Sequence, residues 1–218
     1  MTTASATPAG FDAVVFDFGG VYTASPFTAM EGAAREMGMP AETVMELIFG
    51  PYDADTDHPW HRAERGQIDL AACREEIRDA AAAQGLELDL FEMLAHLASS
   101  GGVREVVVAH THAVRERGLR TALLTNNVAE FADFWRPLLP LDDLFDVVVD
   151  SSEVGMRKPD ARIYLHTLEL LGGIDPGRAV FLDDFPGNVS AADALGMTSI
   201  LVEEDPASAL ARLDAVLG

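Results

Sequence analysis

The sequence predicts an α/β protein, built as a doubly wound parallel sheet with an inserted α-helical cap domain. Five short apolar runs, the first of them rich in β-branched residues, alternate with helical segments along most of the 218 residues. One long block after the first run carries helical patterns and almost no strand signal. Strands that alternate with helices favour a parallel sheet, and hydrophobic residues, at 49%, suffice for a sizeable core.

The first strand is predicted at residues 13–16, where a buried apolar run stops at Asp17. Ligands of open parallel sheets bind at the carboxyl ends of the strands, which is where this strand would deliver Asp17. Gly19 and Gly20 follow, and glycine lets the backbone adopt positive φ and pass close to a phosphate or a metal.

The helical block predicts a cap over residues 22–100, inserted into a core formed by residues 11–21 and 101–218. Residues 1–10 are small and polar and predict a flexible N-terminal tail. Residues 52–66 predict a polar loop that contains aromatic side chains. The cap helices are expected at 27–37, 41–49, 68–83 and 88–97.

From residue 103 onward, strands and helices alternate again, with glycine and proline at the boundaries. Residues 151–159 predict a loop between a strand and a helix. The four further strands are expected at 119–124, 145–149, 179–182 and 198–202. The helices are expected at 103–117, 129–136, 160–171, 189–195 and 206–217.

Polar residues follow the predicted strands and should gather at one edge of the sheet. Thr125 and the pair Asp183–Asp184 each follow a strand directly, and Lys158 lies in a loop between a strand and a helix. Three converging carboxylates, including Asp17, usually hold a hard cation, and Mg²⁺ suits such a site beside a phosphate.

These residue types together predict phosphate chemistry. Asp17 could attack phosphorus and form an aspartyl phosphate that water then hydrolyses. The Thr125 hydroxyl and the amides of Asn126 and Asn127 would hold the phosphoryl oxygens. Lys158 would stabilise the negative charge of the transition state. It is the sole lysine among 15 basic residues, which suggests a need for a compact ammonium.

Composition excludes several classes of partner. The net charge of −21 argues against nucleic acid and anionic membranes, but a local cation can still hold a small phosphorylated metabolite. No apolar run reaches the length of a membrane span, and Cys73 is the single cysteine, so a cytoplasmic protein is expected.

Four stretches resemble the four motifs of the haloacid dehalogenase-like hydrolase superfamily: FDFGGV, LLTNN, GMRKPDARIY and VFLDDFPGNVSAADALGM. The last two look most like the phosphatase domain of soluble epoxide hydrolases and related small sugar-phosphate phosphatases. The resemblance implies a Rossmann-like core with a cap, a hydrolase activity and Mg²⁺. It implies that Asp17 is the nucleophile, that Thr125 binds phosphate and that Lys158 assists catalysis.

The resemblance also implies the metal ligands. They are Asp17, the backbone carbonyl of Gly19, and the acidic pair, of which Asp184 is the firmer ligand and Asp183 a second ligand or a supporting acid.

The sequence departs from the family pattern at Gly19, where most phosphatases of the superfamily carry a second aspartate that serves as general acid and base. Such help accounts for about 10² to 10⁴ in rate. A cap residue could substitute, the substrate could have a good leaving group, or the enzyme could be weak. The cap candidates are Asp53, Asp55, Asp57, His58 and His61. Two other functions stay open, a metal-independent 2-haloacid dehalogenase and a non-catalytic phosphometabolite-binding protein.

Overall fold

The computed structural model of the protein describes residues 10–97 and 102–218. The predicted N-terminal tail, apart from Gly10, lies outside the described residues, and so does the predicted cap–core boundary at residues 98–101. The described part contains no helix that is both long and apolar enough to cross a membrane.

The core is one parallel sheet of five strands in the order β3-β2-β1-β4-β5, which confirms the predicted doubly wound architecture. The first strand, which carries Asp17 at its end, lies in the centre of the sheet. The strands are β1 (Ala13–Phe16), β2 (Arg120–Thr125), β3 (Val147–Asp150), β4 (Ala179–Asp183) and β5 (Thr198–Leu201).

The helices fall into two groups along the chain. Five helices follow β1 in the segment predicted as a cap, and this segment is called the cap below. They are α1 (Pro26–Glu36), α2 (Ala41–Phe49), α3 (Pro59–Glu64), α4 (Leu70–Ala83) and α5 (Leu90–Leu97). The core helices are α6 (Glu105–Glu116), α7 (Ala132–Trp135), α8 (Leu141–Leu144), α9 (Ser151–Val154), α10 (Ala161–Leu170), α11 (Pro186–Ala194) and α12 (Ala207–Leu217).

Both faces of the sheet are covered, because successive side chains of a strand point to opposite faces. On β1, Val14 and Phe16 belong to the hydrophobic cluster that contains side chains of α6 and α12. Ala13 and Val15 belong to the cluster on the other face, with side chains of α10 and α11. The central strand is therefore buried on both faces. Because such a strand needs continuous apolar side chains, it ends where the apolar run stops at Asp17.

The cap has a hydrophobic core of its own. Side chains from all five cap helices form one cluster, and Val128 of the core packs into it. Aromatic rings then join the cap to the loop after β4, with ring centroids 5.3 Å apart for Phe27 and Phe185 and 5.1 Å apart for Tyr52 and Phe185. The cap therefore lies directly beside the acidic pair at the end of β4.

The prediction of a loop at residues 52–66 is wrong in part, because this segment contains α3. His58 caps this helix by accepting a hydrogen bond from the Trp60 N–H, and Pro59 occupies its first turn. Burial of Trp60 in the cap core stabilises a helix too short to form alone. The four-residue helix α9 also lies in a segment predicted as a loop.

Candidate active site

The sheet brings the predicted site residues to one edge. Within the sheet, Phe16 pairs with Leu123 of β2 and with Leu182 of β4. Asp183 therefore lies level with Asp17, and Thr125 lies one residue further along β2. The N–H of Asp17 donates a hydrogen bond of 2.8 Å to the Leu182 carbonyl, which continues the pairing one residue beyond β1. The register thus decides which side chains meet.

Lys158 lies between two of the carboxylates. Its Nζ atom is 2.8 Å from Asp17 Oδ1 and 2.7 Å from Asp183 Oδ2. The lysine side chain is 1% exposed, so both ion pairs lie out of water. Burial works against the charge of Lys158, but the carboxylates of Asp17 and Asp183 outweigh it and raise the pKa of the lysine. The ammonium therefore stays protonated beside the predicted nucleophile.

Asp17, Asp183 and Asp184 form an acidic cluster in which one carboxylate oxygen of each lies within 4.8 Å of the others. Burial, followed by the charges of the neighbouring acids, raises the pKa of Asp17 well above its usual value in spite of Lys158. Burial and the Asp183 carboxylate raise the pKa of Asp184 to about 6. With all three acids ionised, the single ammonium would leave two negative charges unbalanced, which is why burial and mutual repulsion raise these pKa values.

The donor set fits a divalent hard cation. It consists of carboxylate oxygens, which Mg²⁺ prefers, and one such ion would balance the two excess charges. Asp17, Asp183 and Asp184 are the residues that could hold the ion. The predicted contact through the Gly19 carbonyl stays a prediction.

Hydrogen bonds fix the orientation of the acidic pair. Asp183 accepts bonds of 3.1 Å from Asn188 Nδ2 on both of its oxygens and one of 2.8 Å from the Phe185 N–H. The Ser25 hydroxyl donates to Asp184 Oδ2. Ser25 precedes the first cap helix, and nothing in its local sequence distinguishes it, so this contact could not be predicted from the sequence.

Gly20 leaves room for Asp184. Its φ of +71° belongs to the left-handed region, and a Cβ atom at this position would lie 2.5 Å from Asp184 Cβ and overlap with the carboxyl group. At Gly19 a Cβ atom would meet only Pro26 Cδ, at 3.3 Å. The two glycines therefore differ: Gly20 is required by the acidic pair, whereas Gly19 has nearly enough space for a side chain.

The predicted phosphate ligands have distinct surroundings. The hydroxyl of Thr125 is buried at the end of β2. The side chain of Asn126 holds the backbone of Lys158, since Oδ1 accepts from the lysine N–H at 2.8 Å and Nδ2 donates to its carbonyl at 3.0 Å. The N–H of Asn127 donates to Ser151 Oγ at 2.9 Å. A phosphate contact through that N–H would have to replace this bond, and the phosphate role of all three residues stays a prediction.

The two histidines proposed as proton donors are held within the cap. At His61, Nδ1 accepts from the Thr56 N–H at 3.0 Å and Nε2 lies 2.8 Å from the Phe49 carbonyl. Burial lowers the pKa of His61 to about 3, so the ring is neutral at physiological pH. His58 uses Nδ1 to cap α3. Both rings thus have structural partners.

The three acidic candidates of the cap differ in position. Asp55 forms an ion pair with Arg65, and Asp57 lies 3.9 Å from Arg62. Asp53 is exposed at the boundary with the core, where its Cα atom would lie 3.2 Å from a Cβ atom placed on Gly187. The backbone of Asp53 therefore lies against the first turn of α11, which follows Asp184.

Comparisons with known proteins show the family to which the chain belongs. Residues 11–196 match the family model described as haloacid dehalogenase-like hydrolase. The chain is 30% identical over 216 residues to rat bifunctional epoxide hydrolase 2, covering 93% of this chain and 38% of that protein. It is 32% identical over 196 residues to phosphatase MT3486 of Mycobacterium tuberculosis, covering 88% of this chain and 87% of the phosphatase.

The chain spans only part of some of its relatives. It is 33% identical over 212 residues to mouse Acyl-CoA dehydrogenase family member 10, but covers 19% of that protein's length. A solved haloacid dehalogenase family enzyme from Bacteroides thetaiotaomicron, an aspartate-to-alanine mutant in complex with magnesium and inorganic phosphate, shares the fold. Its TM-score is 0.63 and its identity 20%, over 90% of this chain and 96% of that one. On the family match and these relatives, the chain belongs to the haloacid dehalogenase-like hydrolases.

Proposed function

We propose that the protein is a magnesium-dependent phosphatase that hydrolyses a small phosphorylated metabolite through an aspartyl phosphate on Asp17. The observation that carries the proposal is the position of Asp17, which lies 2.8 Å from Lys158 Nζ and within the same 4.8 Å cluster as Asp183 and Asp184. A carboxylate that adjoins both an ammonium and a cation site suits attack on a phosphate. The phosphatase named among its relatives supports the same chemistry.

In this reaction, an oxygen of Asp17 forms a bond to phosphorus while the bond from phosphorus to the leaving oxygen breaks. Lys158 offers fixed positive charge to the phosphoryl oxygens and needs no reorganisation, because its side chain is buried. Mg²⁺, when bound, neutralises the repulsion between the Asp17 carboxylate and the phosphate. Water then attacks phosphorus, releases inorganic phosphate and restores Asp17.

The buried position of the site restricts the substrate. Asp17 is 8% exposed, and the aromatic rings of Phe27, Tyr52 and Phe185 pack where the cap meets the core beside Asp184. A small substrate is therefore favoured, and its entry requires that the cap move. Exclusion of water by these rings strengthens every charge interaction in the site.

The leaving oxygen has to receive a proton from a group other than residue 19, because Gly19 has no side chain. We propose two alternatives: the Asp53 carboxyl at the cap–core boundary donates this proton, or the leaving group of the substrate is good enough to depart without one. Asp53→Asn separates them, since it should slow the hydrolysis of alkyl phosphates and leave that of an acyl phosphate unchanged.

Phosphate release from p-nitrophenyl phosphate and a panel of phosphorylated metabolites, with Mg²⁺ and with a chelator, tests the proposal. We expect turnover that requires Mg²⁺ and that Asp17→Asn abolishes. In the same preparation, chloride release from 2-chloropropionate without metal would indicate a dehalogenase instead. Binding of phosphate esters without turnover would indicate a non-catalytic protein.

A further inference from the structure

Hydrogen bonds, together with the peptide bond between Arg157 and Lys158, form a closed ring that joins the cap to the backbone of Lys158. The cap contributes Tyr52 and Glu64, and the core contributes Asn126, Arg157 and Lys158; we call these five residues the cap–core ring. The Tyr52 hydroxyl donates to Glu64 Oε1 at 2.7 Å, and Arg157 Nε donates to Glu64 Oε2 at 2.6 Å. Asn126 Nδ2 donates to the Tyr52 oxygen at 3.3 Å and to the Lys158 carbonyl at 3.0 Å.

The ion pair in this ring is completely buried. The side chain of Arg157 is 0% exposed and that of Glu64 is 2% exposed. Separation of such a pair would leave two charges without partners in a medium of low dielectric constant, so partly formed states are disfavoured. The ion pair therefore favours two states of the cap, one in full contact with the core and one fully detached from it.

Both ends of the ion pair are anchored on their own side. In the cap, Glu64 also accepts a 2.8 Å bond from Trp60 Nε1 within the cap core. Arg157 reaches further into the cap by donating to the Ala54 carbonyl at 3.1 Å and stacking on the Tyr52 ring, with its guanidinium carbon 4.5 Å from the ring centroid. One side chain of the core thus contacts three residues of the cap, in α3 and in the loop before it.

The same ring holds the residue that carries the charge of the active site. Arg157 and Lys158 are neighbours in the chain, and Asn126 binds both the N–H and the carbonyl of Lys158. A shift of the cap would therefore be transmitted to the Lys158 backbone from two sides. Since Nζ has to lie within hydrogen-bond distance of both Asp17 and Asp183, a small displacement would break that geometry.

We propose that Arg157 and Glu64 are positioning residues. Their ion pair couples the contact between cap and core to the position of Lys158 between Asp17 and Asp183. The kinetic part rests on the proposed phosphatase activity, whereas the structural coupling does not. Neither residue needs to touch the substrate in this role. The cap would then control both access to the site and the position of its buried cation.

The test compares Glu64→Gln, Arg157→Met and the double variant with the unchanged protein. Hydrogen exchange is followed in peptides covering residues 156–158, where the Lys158 N–H reports its bond to Asn126, and separately in peptides covering 59–64. Initial rates with p-nitrophenyl phosphate and Mg²⁺ give kcat and KM. Asp89→Asn serves as the matched control, since it breaks an ion pair with Arg74 that lies within the cap.

We expect Glu64→Gln, a change in the cap, to speed exchange at residues 156–158 in the core and to lower kcat about tenfold or more, with KM changed less than about threefold. Arg157→Met should lower kcat to a similar extent. The double variant should be no slower than the worse single one, because both changes remove one interaction. It should also recover part of the Tm lost in Glu64→Gln, since it leaves no unpaired buried charge. Asp89→Asn should match the unchanged protein in kcat and in exchange at 156–158.

Two results would overturn the proposal. If Glu64→Gln speeds exchange only at residues 59–64 and leaves kcat within about twofold, Glu64 merely stabilises the cap. If Arg157→Met raises KM alone while Glu64→Gln has no kinetic effect, Arg157 binds the substrate directly. Absence of turnover in the unchanged protein would instead reject the phosphatase proposal, and the exchange experiment would still decide whether the cap and Lys158 are coupled.

Discussion

Gly20→Ala offers a direct test of how the acidic pair is accommodated. Gly20 has a φ of +71°, and a Cβ atom there would lie 2.5 Å from Asp184 Cβ and overlap with the Asp184 carboxyl group. The alanine therefore has to displace Asp184 from the position in which it meets Asp17 and Asp183. The displacement also breaks the hydrogen bond from Ser25 to Asp184.

The loss of stability has two parts. A left-handed backbone costs a residue other than glycine about 1–2 kcal/mol. Loss of a hydrogen bond to a charged group costs about 1.5–3 kcal/mol. The free energy of unfolding should thus fall by about 2.5–5 kcal/mol, which corresponds to a decrease in Tm of roughly 10 °C for a chain of this size. Mg²⁺ affinity should fall about tenfold or more, because a ligand no longer faces the ion.

Gly38→Ala is the matched control. Gly38 has the same φ of +71° but no atom within 4 Å of a Cβ placed there, so it shares only the backbone strain and should lose about 1–2 kcal/mol. Thermal unfolding with and without Mg²⁺, and titration calorimetry with Mg²⁺, measure both variants. Equal stability loss and equal Mg²⁺ affinity in the two variants would refute the role assigned to Gly20.

Three further results are expected. Lys158→Arg should lower kcat about 100-fold or more, because the Lys158 side chain is 1% exposed and a planar guanidinium cannot replace its compact ammonium there. Full kcat in steady-state assays would contradict this expectation. Gly19→Asp should raise kcat most for substrates with poor leaving groups, because it adds a general acid, and only Pro26 has to shift to make room for it. An equal gain for all leaving groups would count against a role as general acid. The pKa of Asp184 is about 6 in the folded metal-free protein, against a usual value of 3.8. Ionisation of Asp184 should therefore lower the free energy of unfolding as the pH rises from about 4 to about 6. The proposed Mg²⁺ site requires the ionised form of Asp184, so saturating Mg²⁺ should raise Tm more at about pH 7.5 than at about pH 5. An equal increase at both pH values would contradict the shift.

The sequence alone determined the sheet and the residues at its edge. The apolar run at 13–16 ends at Asp17 in the structure as predicted, and the run at 179–182 leads into Asp183 at the end of β4. Such predictions succeed because a buried strand needs continuous apolar side chains, and a polar residue that ends the run is placed at the end of the strand. The resemblance of four motifs then identified the family, which the family match confirms.

Short elements stabilised by distant contacts could not be predicted. Helix α3 has six residues and depends on Trp60 packing in the cap, so its local sequence indicates a loop. The contact from Ser25 to Asp184 joins residues 159 positions apart, and no local pattern distinguishes that serine from others in the chain.

What the sequence by itself determined is which chemical groups the strands deliver, because strand ends follow from local hydrophobicity. Only the tertiary structure decided how those groups are arranged: Lys158 between Asp17 and Asp183, Asp184 in the space that Gly20 leaves, and the cap seated through Arg157 and Glu64. The last pair is 93 residues apart in the chain. Contacts over such separations depend on how the cap packs on the sheet, which no local periodicity specifies.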